Sequence, residues 1–325
     1  MDALRIALGI DIASAAERLE GHVRHTPLES FDIADSRIHL KLKLECEQET
    51  GAFKARGAVN QILSLTPEER AAGVCATSSG NHGRALAWAA RRAGVKTTLF
   101  MPHDVYATKL EACRAEGAEV VLCASRATAE EECARHVGDG AILIHPYDAD
   151  RTIEGAGTVG WEIAEDWPEV ELVLFPVGGG GMLAGSALAI ARRLGDEVAV
   201  LGVEPVGSAN MSRAMAEGKP VAIDPIETSV QGLCPIEVGV RNLGLCQRYV
   251  EGMVQLSDEE IYAGQRELVR AGYTVEPAGA AAFAAVLHRA LPDELLEGRT
   301  SSYPLRTVCV LSGGNADPEQ LETLK

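Results

Sequence analysis

The stretch Val74-Cys-Ala-Thr-Ser-Ser-Gly-Asn-His-Gly-Arg-Ala-Leu-Ala-Trp-Ala-Ala-Arg-Arg-Ala-Gly-Val-Lys-Thr-Thr-Leu-Phe-Met101 changes its hydrophobic period twice. Val74–Ser79 reads as a short apolar strand, Gly83–Ala93 as an amphipathic helix closed by Gly94, and Thr97–Met101 as a second strand. Two strands joined through a helix predict parallel pairing, because parallel neighbours need a crossover between them. The alternation runs on through a helix at Tyr106–Glu116, a strand at Glu119–Cys123, a helix at Arg126–Val137 and a strand at Ala141–His145. The expected class is α/β, with open parallel-rich sheets flanked by helices.

Downstream, His145-Pro-Tyr-Asp148 forms a turn and a second series follows. It comprises a helix at Gly157–Trp167, a buried strand at Val170–Val177, a helix at Leu183–Leu194 and a strand at Val198–Glu204. Ser257-Asp-Glu-Glu260 is a capping box opening a helix that runs to Ala271. Pro277–Leu291 reads as an Ala-rich helix and Arg306–Leu311 as a last strand. Residues 218–256 resist assignment, since Pro220, Pro225 and Pro235 break any long element. A chain of 325 residues exceeds one typical core. The expectation is a discontinuous large domain, 1–67 plus 147–325, and a small α/β domain, 68–146. Ligands in such folds bind beyond the carboxyl ends of the strands.

A net charge of −17 argues against nucleic acid or an anionic membrane as partner. No basic segment leads into an apolar run at the N-terminus, and no window has about 18 uninterrupted apolar residues. The eight cysteines include no C-x-x-C pair, which disfavours structural zinc. These features predict a cytoplasmic setting without a disulfide framework.

Chemistry is concentrated in four loops. Upstream, Ile38, Leu40, Leu42, Leu44 and Cys46 alternate with polar residues as a half-buried strand, and Ala52, Ala55, Val59, Ile62 and Leu63 follow helical spacing. Thr50 is a candidate N-cap, which puts Lys54 in the first helical turn, where the macrodipole disfavours a cation. Arg56 would add a second charge, so the amine's pKa is expected to fall and expose a nucleophile. The alternative is a solvated lysine at a helix start. The second loop, Ser78-Ser-Gly-Asn-His-Gly83, offers hydroxyls and N–H groups at a helix N-terminus, either for a carboxylate or simply for a turn. The third, Gly178 to Gly181, follows a strand and precedes Met182 and a helix. Four glycines are costly to order and make sense where backbone closely approaches a ligand, with a tight structural turn as the alternative. Started at Gly178, the dinucleotide spacing G-x-G-x-x-G ends on Leu183; started at Gly179, it ends on Ala184 and meets only the relaxed form. No Walker lysine follows, so the loop reads as a monophosphate site. The fourth, Ser312-Gly-Gly-Asn315, ends the last strand with a hydroxyl that faces either a heteroaromatic nitrogen or only its own strand end. Together these features describe a pyridoxal phosphate site.

Glu-Thr-Gly-Ala-Phe-Lys-Ala-Arg-Gly-Ala, Ser-Ser-Gly-Asn-His-Gly, Gly-Gly-Gly-Gly-Met-Leu-Ala-Gly, Gly-Val-Glu-Pro, Glu-Pro-Ala-Gly-Ala and Leu-Ser-Gly-Gly-Asn occur in this order. From about residue 15 to 318 the chain resembles the fold-type II pyridoxal-phosphate enzymes of the serine/threonine dehydratase and serine racemase group. The resemblance implies a tryptophan-synthase-β-like fold, a cofactor held by the large domain, and a homodimer. It implies that Lys54 is the Schiff-base lysine and moves the α-proton, and that Phe53 and Asn81 flank the ring, with Asn81 near its 3′-oxygen. Gly178, Gly179, Gly180, Gly181 and Met182 would hold the phosphate, and Ser312 the ring nitrogen. Ser78, Ser79, Asn81 and His82 would bind the substrate carboxylate, and Ser79 matches the serine that acts as a second catalytic base in the resembled racemases, where several dedicated dehydratases have alanine.

The chain departs from the pattern at several points. Ala52 replaces the usual serine, and Gln231-Gly-Leu-Cys-Pro235 stands where relatives read Asp-Gly. Of the divalent-metal residues, Glu204 and Ser208 match but Asn210 replaces an aspartate, so a cation is expected to bind weakly at best. The implied activity is dehydration and deamination of serine, threonine or a related β-hydroxy-α-amino acid to a 2-oxo acid and ammonia. An amino-acid racemase is the nearest alternative, and a β-replacement synthase is more distant. Outside the cofactor class stand a nucleotide-dependent oxidoreductase, which the poor fingerprint opposes, and a cofactor-free binding protein, which Lys54 opposes.

Overall fold

The structure, a computed structural model, describes residues 3–78, 80–105 and 107–324. Among them are ten strands: β1 (Leu28–Phe31), β2 (Ile38–Lys43), β3 (Val74–Thr77), β4 (Thr97–Pro102), β5 (Glu119–Cys123), β6 (Ile142–Leu143), β7 (Leu172–Pro176), β8 (Ala199–Pro205), β9 (Gly252–Leu256) and β10 (Leu305–Val310). A six-stranded sheet has the order β1-β2-β10-β7-β8-β9, and a four-stranded sheet the order β5-β4-β3-β6. Every pairing is parallel except that of β1 with β2. This is the α/β, parallel-rich architecture expected.

The centre of the large sheet shows why its strands are apolar at every position. On β7, Val173 and Phe175 join the core on one face while Leu172 and Leu174 join the core on the other. Leu174 is opposite Cys309 on one side and Leu201 on the other. A strand covered on both faces has no solvent side, so a continuous apolar run replaces alternation. Each large apolar side chain buried in this way contributes about 1.5–3 kcal/mol.

Helix Asp150–Asp166 begins seven residues before the expected Gly157. Its glycines had weakened the helical signal, and their function is close packing. A Cβ at Gly155 would sit 2.5 Å from Arg56 O, and one at Gly160 would sit 2.5 Å from Ser186 O. The helix therefore presses on both helix Lys54–Leu63 and helix Gly181–Leu194. Other differences are smaller. β1 carries no strand signal in the sequence, and residues 218–256 contain helix Val240–Tyr249 and strand β9. Helix Pro277–Leu287 ends four residues short of Leu291. Tyr106, the expected start of the helix found at Ala107–Ala115, lies outside the described residues. The capping box of Ser257 and Glu260 is present as read.

Candidate active site

Lys54 is the first residue of its helix, and Phe53, not Thr50, occupies the N-cap position. Thr50 instead takes a left-handed conformation (φ 61°) inside the short 3-10 turn Glu49–Gly51, and its hydroxyl has no hydrogen-bond partner among the described residues. The helix start is pinned from β10: Phe53 N donates to Ser312 O at 3.1 Å, and Ala52 bridges Gly313. Lys54 Nζ donates to Pro146 O at 2.7 Å, just beyond the end of β6. The amine is thus carried by one sheet's helix and held by the other sheet's strand end. Surrounding protein pushes its pKa down to about 8. Arg56 has no part in that shift. Its guanidinium is buried and bonded to Glu45 and Glu162, so its charge is compensated away from the amine.

The loop after β3 brings its own bonds. Ser78 Oγ accepts from Gly83 N at 3.2 Å and from Gly80 N at 3.4 Å, closing the turn onto helix Asn81–Ala93. A Cβ at Gly83 would stand 2.3 Å from Ser78 O, so only glycine fits. His82 is buried and its Nε2–H donates to Ile144 O at 2.9 Å. Burial, helped by nearby Lys54, pushes its pKa down to about 3, which keeps the ring neutral. That N–H is therefore taken and the neutral ring's Nδ1 has no proton to give, so only the main-chain N–H of His82 remains for a carboxylate. Ser79 lies outside the described residues.

The tetraglycine loop after β7 is held tightly from behind. A Cβ at Gly179 would lie 2.2 Å from Tyr147 Cγ, and one at Gly181 would lie 2.7 Å from Tyr147 O. Gly180 has φ 90° and caps helix Gly181–Leu194 without a side chain. Gly179 O accepts from Asn242 Nδ2 at 2.7 Å and from Gly239 N at 3.2 Å. A planar trans peptide then turns the next N–H the opposite way. The helix's first N–H groups have no intrahelical acceptor and carry the positive end of the macrodipole.

These loops surround one cavity of about 490 Å³. Phe53, Lys54, Ser78, Asn81, His82, Gly178, Gly179, Gly180, Gly181, Met182 and Ser312 all line it. Gln231 to Pro235, Tyr147 and Arg126 also line it. The sheet order explains the convergence: β10 lies between β2 and β7, so the loops after all three are neighbours. Sequence reading gave no role to Asn242, which falls in the unassigned stretch, or to Glu276 and Asn315, which lie within quoted motifs. A depressed amine, a side-chain-free cradle at a helix N-terminus and a buried hydroxyl form a donor set that fits pyridoxal phosphate.

Residues 19–313 match the model of a family described as pyridoxal-phosphate dependent enzyme. The chain is 35% identical over 324 residues to an L-threonine ammonia-lyase of Geobacter sulfurreducens, covering 96% of this chain and 77% of the relative. It is 36% identical over 282 residues to a phenylserine dehydratase of Ralstonia pickettii, covering 85% of this chain and 86% of the relative. The solved structure of maize serine racemase superposes with a TM-score of 0.88 at 31% identity, covering 96% of this chain and 94% of that one.

Proposed function

Since the chain belongs to the pyridoxal-phosphate-dependent enzymes, we propose that it removes water and then ammonia from a β-hydroxy-α-amino acid, leaving a 2-oxo acid. The observation that carries this reading is the Lys54 amine, depressed to about 8 and facing the same cavity as the glycine cradle. When bound, the cofactor supplies an electron sink for the bond broken at the substrate's Cα. The N–H groups from Gly178 to Met182 would hold its phosphate, with Phe53 and Asn81 beside its ring. Ser312 would meet the ring nitrogen with a hydroxyl, which, unlike a carboxylate, would not fix a proton there. The Ser78 hydroxyl and the main-chain N–H groups of Asn81 and His82 orient the substrate carboxylate. Lys54 Nζ takes the proton from Cα, a role worth on the order of 10²–10⁴ in rate. Pro146 O holds Nζ in place.

The Glu204 set does not fit a divalent cation. Its carboxylate accepts from Met211 N, Ser212 N and Ser212 Oγ at 2.6–2.9 Å, while Asn210 Nδ2 donates to Ile236 O. Burial pushes the Glu204 carboxyl up to about 7, and no metal enters the mechanism. Racemisation is the second reading, favoured by the serine at position 79 and by the likeness to maize serine racemase. We also read the strands of the small sheet, all within 68–146, as a small domain, and residues 1–67 with 147–325 as the large one. Cytoplasmic location is supported by eight free cysteines, and a homodimer by the family resemblance alone. Among the described residues no helix is long and apolar enough to cross a membrane.

The test is a screen for 2-oxo acid and ammonia release from L- and D-serine, threonine, phenylserine and 3-hydroxyaspartate. Release from at least one, lost in Lys54→Ala, is expected. Retention of activity in that variant contradicts the assignment.

A further inference from the structure

Glu276 opens the Glu-Pro-Ala-Gly-Ala stretch, yet nothing in the proposed mechanism uses it. It is the N-cap residue of helix Pro277–Leu287, a position where short polar side chains such as Ser, Thr, Asp or Asn bond the first N–H groups. It makes no such bond. Its Oε1 turns into the cavity and accepts from Asn81 Nδ2 at 2.6 Å. Asn81 Oδ1 accepts from Asn315 Nδ2 at 2.8 Å, and that nitrogen also donates to Thr50 O at 2.8 Å. Asn315 Oδ1 in turn accepts from Arg84 Nη1 at 2.9 Å. Two glycines leave room for this chain of bonds. A Cβ at Gly313 would lie 2.3 Å from Glu276 Oε1, and one at Gly51 would lie 2.5 Å from Asn315 Oδ1.

The chain has one polarity, from the Arg84 guanidinium through two carboxamides to the Glu276 carboxylate. Asn81 cannot flip without setting donor against donor at Asn315. One Asn81 N–H goes to Glu276, and the other remains for the cavity. We propose that Glu276 is a positioning residue for the cofactor: it fixes the Asn81 carboxamide so that the second N–H meets the ring oxygen, and its charge tunes that contact. This rests on the reading above that Asn81 stands beside the ring.

Several groups face Glu276. Burial lifts its pKa to about 7, outweighing the Asn81 bond and Lys109 on helix Ala107–Ala115, both of which lower it. Arg84, Tyr262 and Asp317 line an adjoining cavity of about 410 Å³ that shares Glu276, and Lys54, His82, Arg126 and Glu130 line the main one. Its own helix carries no ionisable residue.

The experiment titrates apo-protein with pyridoxal phosphate for affinity, then follows the visible band of the holoprotein from about pH 5.5 to 8.5. The wild type is expected to show a step near 7, missing in Glu276→Gln. Asn81→Ala should weaken cofactor binding about tenfold, the loss of one hydrogen bond to a charged partner. In that background Glu276→Gln should change neither readout further. A step that survives in Glu276→Gln, or effects of the two substitutions that add, overturns the proposal while leaving the site intact. Unchanged binding in Asn81→Ala instead removes the placement of Asn81, and the proposal with it. If Glu276→Gln does not fold, the wild type decides: no step overturns the proposal, and a step abolished by Asn81→Ala supports it.

Discussion

Lys54 is a lysine whose basicity is set by where its side chain ends. With the pKa lowered by burial, the neutral amine that attacks an aldehyde is abundant well below the ordinary lysine range. Below the pKa each pH unit costs tenfold in neutral amine. The rate of holoprotein formation from apo-protein and pyridoxal phosphate should therefore rise about tenfold per unit and level off near pH 8. Stopped-flow absorbance measures this, and a rate still rising at pH 10 contradicts it. Ser79→Ala should abolish any interconversion of L- and D-substrate and spare 2-oxo acid release; equal loss of both removes the second-base role. At this scale the sequence singles out the lysine proposed here but not the cause of its shift, which is burial. Residues two apart on a helix point away from one another, so Arg56 could not face Lys54. Its partners, Glu45 and Glu162, come from elements that no local pattern links to it.

Among the elements, helix Asp150–Asp166 packs against both the helix that begins at Lys54 and the one that begins at the glycine loop. The contact at Gly160 is backbone to backbone, so neither side gives way cheaply. Gly160→Ala should destabilise the protein by about 1–3 kcal/mol in urea unfolding, although alanine is the better helix former. An unchanged or raised stability contradicts the packing account. Elements with local signals were legible: the capping box at Ser257, Gly94 closing its helix in a left-handed turn, and the apolar run of β7. The elements that escaped lacked such signals. β1 is a four-residue edge strand with no buried position, and helix Val240–Tyr249 follows a proline-broken loop.

On the scale of the whole molecule, the α/β class followed from the succession of periods, but the order of strands did not. β10 comes from the far end of the chain and lies between β2 and β7, a pairing no local pattern encodes. That insertion places Ser312 beside Phe53 and next to the glycine loop, while the small sheet supplies Pro146 and the Ser78 turn. The candidate site therefore draws on both sheets, and the proposed chemistry converges on one nitrogen. Borohydride reduction of the purified holoprotein, followed by peptide mapping by mass spectrometry, tests that convergence. The account predicts a single pyridoxyl-modified peptide carrying the label on Lys54; a label on another lysine, or none in protein loaded with the cofactor, contradicts it.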